Sequence, residues 1–165
     1  ITIEEFKEQE RPKVVLTWAP HPRALPQAVP NSFADFMNVA NVDFVITHPK
    51  GYELAPEFVG NARVEYDQRK AFEGANFIYA KNWSAFADEN YGAVLSTDRD
   101  WTVDAEKMAL TNNAFFMHCL PAVRGQEVSA DVIDGSQSVV FDQAENRMHA
   151  QKAVLYYYLK QRKDR

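Results

Sequence analysis

Five short apolar runs, at residues 14–18, 44–47, 77–80, 115–118 and 138–141, alternate along the chain with stretches of helical periodicity. The runs are continuous rather than alternating, which is typical of strands buried on both faces of a sheet. Most are separated by roughly thirty residues, enough for a crossover connection that contains a helix. We therefore predict an α/β fold: a doubly wound, mainly parallel five-stranded sheet with helices on both faces.

The stretches between the runs carry apolar stripes and residues that commonly begin or end helices. Four helices are predicted: one that begins at Asn31 or Ser32, one over residues 63–72 that ends before Gly74, one over 105–110 capped by Asp104, and one over 144–160.

Composition and charge narrow the class of protein. The 165 residues carry a net charge of −5, without the basic stripe expected of a nucleic-acid or anionic-membrane surface. No apolar run approaches the ~20 residues of a membrane span. The single cysteine excludes an intramolecular disulfide framework. We expect one domain over residues 1–165, in a cytoplasmic setting, with neither nucleic acid nor membrane as a partner.

Cofactor and metal sites are not predicted. A dinucleotide site needs a glycine-rich turn after the first strand, and here that turn contains no glycine. The four histidines are scattered without the spacing of metal ligands. No cofactor and no metal are therefore expected.

Candidate binding residues follow the predicted strands, because ligands of doubly wound sheets bind outside the carboxyl ends of the strands. His21 follows the first strand, Lys81 the third and Cys119 the fourth, and Arg147 lies near the start of the predicted last helix. An arginine there offers a planar fork of donors for phosphate or carboxylate, helped by the positive helix end. The alternatives are a surface ion pair for Arg147 and a solvated side chain for Lys81.

Cys119 has two interpretations. A thiol nucleophile needs a base within reach, and the adjacent His118 is a poor one because neighbours on a strand point to opposite faces. From residue types alone, a buried structural cysteine and a functional one both stay open. The loop after Lys81 continues for about twenty residues with little regular pattern, and loops of that length are uncommon without a function.

The residues His118-Cys119-Leu120-Pro121 match the HCLP motif of the transcarbamylase family, and Glu145-Asn146-Arg147 match the segment that carries its late arginine. The resemblance covers nearly the whole length of this chain, but it extends only over the second half of a complete enzyme of the family. The S-T-R-T and H-P-x-Q motifs of the first half are absent. The resemblance therefore implies an amino-acid-binding domain whose carbamoyl phosphate-binding N-terminal domain is not in this chain.

Within the family, the chain is similar to the enzymes that use N-acylated ornithine. It has Tyr79-Ala80-Lys81-Asn82-Trp83 where ornithine enzymes carry S-M-G, and Trp18-Ala19-Pro20-His21-Pro22 after the first strand. The implied reaction transfers a carbamoyl group from carbamoyl phosphate to the δ-amine of N-acetyl- or N-succinyl-L-ornithine, in arginine biosynthesis. The implied full-length enzyme is a homotrimer, and the isolated half is expected to lack turnover.

The resemblance also implies roles for individual residues. Cys119, Leu120 and Arg147 would contact carbamoyl phosphate, and His21, Lys81 and Leu120 would contact the acyl-ornithine. The bond between Leu120 and the following proline is expected to be cis.

One position departs from the N-succinyl pattern, which has an arginine two residues after the HCLP proline. Here that residue is Val123, followed by Arg124. Either Arg124 reaches the site or a smaller acyl group is preferred, so acetyl and succinyl both stay open. The same departure leaves a non-catalytic, amino-acid-binding or assembly module as the alternative function.

Overall fold

The computed structural model describes residues 1–85 and 92–163. Residues 86–91, inside the long loop predicted after Lys81, lie outside that description. The sheet has five strands: β1 (Lys13–Trp18), β2 (Asp43–Thr47), β3 (Arg63–Glu65), β4 (Phe77–Lys81) and β5 (Phe115–Met117). Their order in the sheet is β3-β2-β1-β4-β5, and every neighbouring pair is parallel. The predicted α/β fold is confirmed.

Helices cover both faces of the sheet, because alternate residues of each buried strand point to opposite sides. The helices are α1 (Thr2–Phe6), α2 (Ala28–Val39), α3 (Pro56–Val59), α4 (Gln68–Phe72), α5 (Ala105–Met108), α6 (Ala130–Ile133) and α7 (Val140–Lys163), with a 3₁₀ turn at Arg99–Trp101. Val15, Ile78 and Phe116 pack on the face covered by α4, α5 and α6, and Leu16 and Tyr79 pack on the face covered by α1 and α2.

The predicted fifth strand at residues 138–141 is wrong. Ser138 makes one isolated bridge to Phe116, and α7 begins at Val140. The apolar pair Val139 and Val140 misled the prediction because the two side chains are buried on opposite faces of the sheet, as in a strand. The fifth strand is instead β3, at the opposite edge.

The helix predicted over residues 63–72 is also wrong in its first half. Residues Arg63–Glu65 form β3, and the helix α4 begins only after Asp67, whose carboxylate accepts hydrogen bonds from the backbone N–H groups of Arg69 and Lys70. Its predicted end is confirmed, since Gly74 follows with a φ of 67° that suits glycine.

The predicted starts of the other helices had mixed outcomes. Asp104 caps α5, accepting from the backbone N–H of Lys107 at 3.0 Å. The predicted cap at Asn31 or Ser32 is wrong, because α2 begins at Ala28 and the residue at its N-cap, Gln27, makes no side-chain cap. Among the described residues, no helix is long and apolar enough to cross a membrane.

Candidate functional site

The direction in which successive strands are added to the sheet reverses between β1 and β4. From β1 the chain winds to β2 and β3 on one side, and it then returns to β4 and β5 on the other side of β1. Such a switch point opens a crevice at the carboxyl ends of the two central strands, where ligands of doubly wound sheets bind. His21 follows β1 and Lys81 ends β4, so both residues flank this crevice.

Backbone and side-chain hydrogen bonds join the ends of β1 and β4 at the base of the crevice. The N–H of Ala19 donates to the carbonyl of Lys81 at 3.1 Å, and the side-chain amide of Asn82 donates to the carbonyl of Ala19 at 2.8 Å. Lys81 is only 8% exposed. The ring Nδ1 of the half-buried His21 accepts from the backbone N–H of Arg23 at 3.1 Å. The ends of β1 and β4 are therefore fixed relative to one another.

After β5 the chain makes a tight turn. Leu120 has a φ of 50°, and its bond to Pro121 is cis, as predicted. The N–H of Leu120 donates to Nδ1 of His118 at 3.0 Å. Within residues 1–85 and 92–163, no hydrogen bond engages the backbone N–H of Cys119 or the carbonyl of Leu120. These backbone groups are available to a ligand.

Cys119 and Arg147 line one open cavity of about 510 Å³, together with Tyr79 on β4 and Gln143 on α7. Cys119 is a half-buried free thiol. Burial raises the pKa of Tyr79 and the neighbouring Cys119 raises it further, only partly offset by the side chain of Gln143. Tyr79 is therefore a neutral phenol at the wall of this cavity.

Arg147 lies differently from its prediction. Because α7 begins at Val140, Arg147 is two turns inside the helix rather than near its start. The positive end of a helix acts only within its first turn, so the predicted help from the helix end is wrong. The side chain is exposed, and it makes no ion pair with any described residue, whereas Glu145 pairs with His149 at 3.2 Å.

The guanidinium of Arg124 is already engaged. It forms a two-pronged ion pair with the carboxylate of Asp134, with Nη2 at 2.8 Å from Oδ1. This hydrogen bond raises the pKa of Arg124 and lowers the pKa of Asp134. The sequence left two possibilities open: Arg124 reaches the acyl group in place of Val123, or a smaller acyl group is preferred. For the first possibility, the guanidinium of Arg124 would have to break its ion pair with Asp134.

The structure thus brings Cys119 and Arg147 together in one cavity and places His21 and Lys81 at the adjacent switch point. Their predicted contacts with substrates stay predictions. Sequence reasoning missed Tyr79 and Gln143, and it missed the buried Glu127 beside His118. Strand alternation could have found Tyr79; the other two depend on tertiary packing, which no local pattern shows.

In the part of the chain that the structure describes, no group of three or more acidic, histidine or cysteine side chains could hold a metal ion.

A five-stranded parallel sheet covered by helices, with Lys81 at the carboxyl end of β4, defines a doubly wound α/β domain. The family model "Aspartate/ornithine carbamoyltransferase, Asp/Orn binding domain" matches residues 26–158. The chain belongs to this family.

Relatives in the family are similar to different degrees. The N-succinylornithine carbamoyltransferase of Bacteroides thetaiotaomicron is 66% identical over 155 residues, which cover 94% of this chain and 49% of that protein. The ornithine carbamoyltransferase of Methanobrevibacter smithii is 41% identical over 143 residues, covering 79% and 48%. The chain therefore spans about half the length of the curated relatives it matches.

Solved structures agree in fold. Acetylornithine transcarbamylase complexed with acetylcitrulline is 33% identical, with a TM-score of 0.84, covering 93% of this chain and 52% of that one. A variant of N-acetyl-L-ornithine transcarbamylase complexed with carbamyl phosphate and N-succinyl-L-norvaline also has a TM-score of 0.84, at 32% identity.

Proposed function

We propose that this chain is the amino-acid-binding half of an N-acyl-L-ornithine carbamoyltransferase. The reaction joins carbamoyl phosphate and N-acetyl- or N-succinyl-L-ornithine to give the N-acyl-L-citrulline and phosphate, in arginine biosynthesis. The observation that carries the proposal is the cavity shared by Cys119 and Arg147, next to a switch point flanked by His21 and Lys81. The 66% identical N-succinylornithine relative supports the acyl-ornithine branch.

Carbamoyl phosphate binds on the α7 side of this site. The guanidinium of Arg147 has no ion-pair partner among the described residues and is free to form a fork with phosphate oxygens. The backbone of Cys119 and Leu120 contacts the carbamoyl group through groups that no described residue engages. Arg147 thereby stabilises the charge that develops on the departing phosphate.

The acyl-ornithine binds across the switch point. The buried ammonium of Lys81 holds a carboxylate, which it attracts more strongly than a fully solvated lysine would. His21 contacts the same substrate from the end of β1, and Leu120 faces the attacking δ-amine. The reaction needs this amine to be held in line with the carbamoyl carbon, so positioning supplies much of the rate. Cys119 forms part of the wall rather than a nucleophile.

The rest of the protein completes the site. We propose that a carbamoyl phosphate-binding domain supplies the remaining phosphate ligands and that the full-length protein is a cytoplasmic homotrimer. The second half of α7 supports an additional partner surface, because its apolar side chains are exposed in this chain: Val154, Leu155, Tyr156, Tyr157, Tyr158 and Leu159 are each 55–69% exposed. Such a patch commonly marks an interaction surface.

A carbamoyl-transfer assay on the full-length protein tests the proposal. Phosphate release is measured with N-acetyl-L-ornithine, N-succinyl-L-ornithine and free L-ornithine as acceptors. We expect turnover with at least one acyl-ornithine and a much lower kcat/KM with free ornithine. Saturable binding of an acyl-ornithine without any turnover would instead favour the non-catalytic module that Val123 leaves open.

A further inference from the structure

Beneath the turn at Leu120 lies a buried chain of hydrogen bonds formed by His118 and Glu127. Their side chains are 0% and 1% exposed. Nδ1 of His118 accepts from the N–H of Leu120 at 3.0 Å, and its Nε2 lies 3.4 Å from Oε1 of Glu127. The other carboxylate oxygen of Glu127 accepts from the N–H of Val123 at 2.8 Å. Together the two side chains bind the backbone on both sides of the turn.

The hydrogen bonds fix the protonation of the pair. Because Nδ1 of His118 accepts from an N–H group, the ring proton lies on Nε2 and points to Glu127. Burial raises the pKa of Glu127, but the hydrogen bonds from His118 and Val123 and the charge of Lys81 outweigh it and lower the pKa overall. Glu127 is therefore an ionised acceptor with both oxygens engaged, which is how a buried carboxylate is accommodated.

The turn needs this support because of the conformation of Leu120. Its φ of 50° lies in the left-handed region, which side chains other than glycine, asparagine and aspartate rarely adopt. Such conformations persist only where the surroundings impose them, and they concentrate at functional sites. The bond from the Leu120 N–H to His118 imposes it here.

We propose that His118 and Glu127 are positioning residues for carbamoyl transfer. Glu127 orients the ring of His118, and His118 holds the backbone of Leu120 in the conformation that meets the substrates. This inference rests on the proposed function, in which the backbone of Cys119 and Leu120 contacts both substrates. His118 thus serves the main chain and not the thiol of Cys119.

Three substitutions separate the two hydrogen bonds of the ring. The oxygen of asparagine takes the place of Nδ1, so His118→Asn keeps an acceptor for the Leu120 N–H. The amide of glutamine reaches the place of Nε2, so His118→Gln keeps a donor for Glu127 and loses the bond to Leu120. Glu127→Gln presents one oxygen and one N–H group to two donors, so it keeps only one of its two bonds.

The experiment measures kcat, KM and melting temperature of these variants in the full-length protein. We expect His118→Gln and Glu127→Gln to lower kcat by about 10- to 100-fold, the size of a lost hydrogen bond to a charged or buried group. In His118→Gln, KM for the acyl-ornithine should change by less than about threefold, because Lys81 and the carboxylate charge of Glu127 near it are both intact. His118→Asn keeps the acceptor for the Leu120 N–H and loses only the bond to Glu127, so it should lower kcat by less than His118→Gln does.

The matched control lies at the other end of β5. The side-chain amide of Gln137 donates to Oδ1 of Asn113 and to the carbonyl of Ala114, both at 3.0 Å, so Gln137→Ala removes two side-chain hydrogen bonds outside the site. It should lower the melting temperature and leave kcat unchanged.

Two results would overturn the proposal. In the first, the His118 and Glu127 variants have a lower melting temperature but keep the wild-type kcat, as is expected of the Gln137→Ala control. The other is an equal loss of kcat in His118→Asn and His118→Gln. A full-length wild type without turnover would refute the proposed function itself, and with it any catalytic role of the pair. Amide hydrogen exchange at Leu120 then still reports whether His118→Gln, but not His118→Asn, frees this N–H.

Discussion

Replacing Arg147 with alanine isolates the proposed contact with phosphate. The side chain is exposed and makes no ion pair with a described residue, so Arg147→Ala should change the free energy of unfolding by no more than about 0.5 kcal/mol. Loss of one partner of a buried, hydrogen-bonded charge pair costs about 2–5 kcal/mol. The cavity is open to solvent, so the lower end of that range applies. About 2–3 kcal/mol corresponds to a rise of about 30- to 150-fold in KM for carbamoyl phosphate.

The assay is steady-state phosphate release by the full-length protein at saturating acyl-ornithine, with carbamoyl phosphate varied. Lys152→Ala is the matched control, because Lys152 is an exposed cation on the same helix, about 140° around its axis from Arg147. The control should leave KM unchanged. Equal effects of the two substitutions would refute the assignment of Arg147 to the phosphate.

Three further substitutions test the core, the buried carboxylate and the amino-acid side of the site. Phe116→Ala should lower the free energy of unfolding by about 3–5 kcal/mol in urea titrations, because Phe116 is 0% exposed, whereas Phe141→Ala, at 74% exposed, should change it by less than about 0.5 kcal/mol. The folded structure lowers the pKa of Glu127, so the ionised carboxylate stabilises the fold above the ordinary carboxyl pKa of about 4.3, and this stabilisation is lost as the pH falls through the folded pKa. Glu127→Gln should therefore flatten the acid side of a plot of unfolding free energy against pH. An unchanged slope would contradict this expectation. Lys81→Met should raise KM for the acyl-ornithine by about tenfold or more, while Lys70→Met, on the exposed side of α4, should leave it unchanged; equal values would exclude Lys81 from binding.

The central strands could be predicted because burial on both faces makes them continuous apolar runs. β1, β2, β4 and the edge strand β5 were predicted within one residue at each end. The other edge strand, β3, could not be predicted in the same way. β3 has three residues, two of them charged, and only its pairing with β2 makes it a strand. Residues 138–141 have the apolar pattern of a strand but begin a helix, because tertiary packing decides between the two for short runs.

Some features of the candidate site could be predicted from the sequence, and others depend on tertiary structure. The placement of His21, Lys81 and Cys119 at the carboxyl edge follows from a parallel sheet, whose strands all end at the same edge, and the pattern of runs already predicts such a sheet. The distance of Arg147 from the helix start depended on a helix boundary, which is the least certain feature of a sequence. The link between His118 and Glu127 could not be foreseen, since it depends on how residues 121–127 fold back under the turn.

A competition between acceptors tests whether the full-length protein transfers the carbamoyl group to an N-acyl-L-ornithine. The full-length protein receives carbon-13-labelled carbamoyl phosphate and an equimolar mixture of N-acetyl-, N-succinyl- and free L-ornithine, and mass spectrometry identifies which product carries the label. We expect label in an N-acyl-L-citrulline, with little in citrulline. Label chiefly in citrulline, or in no product at all, would contradict it.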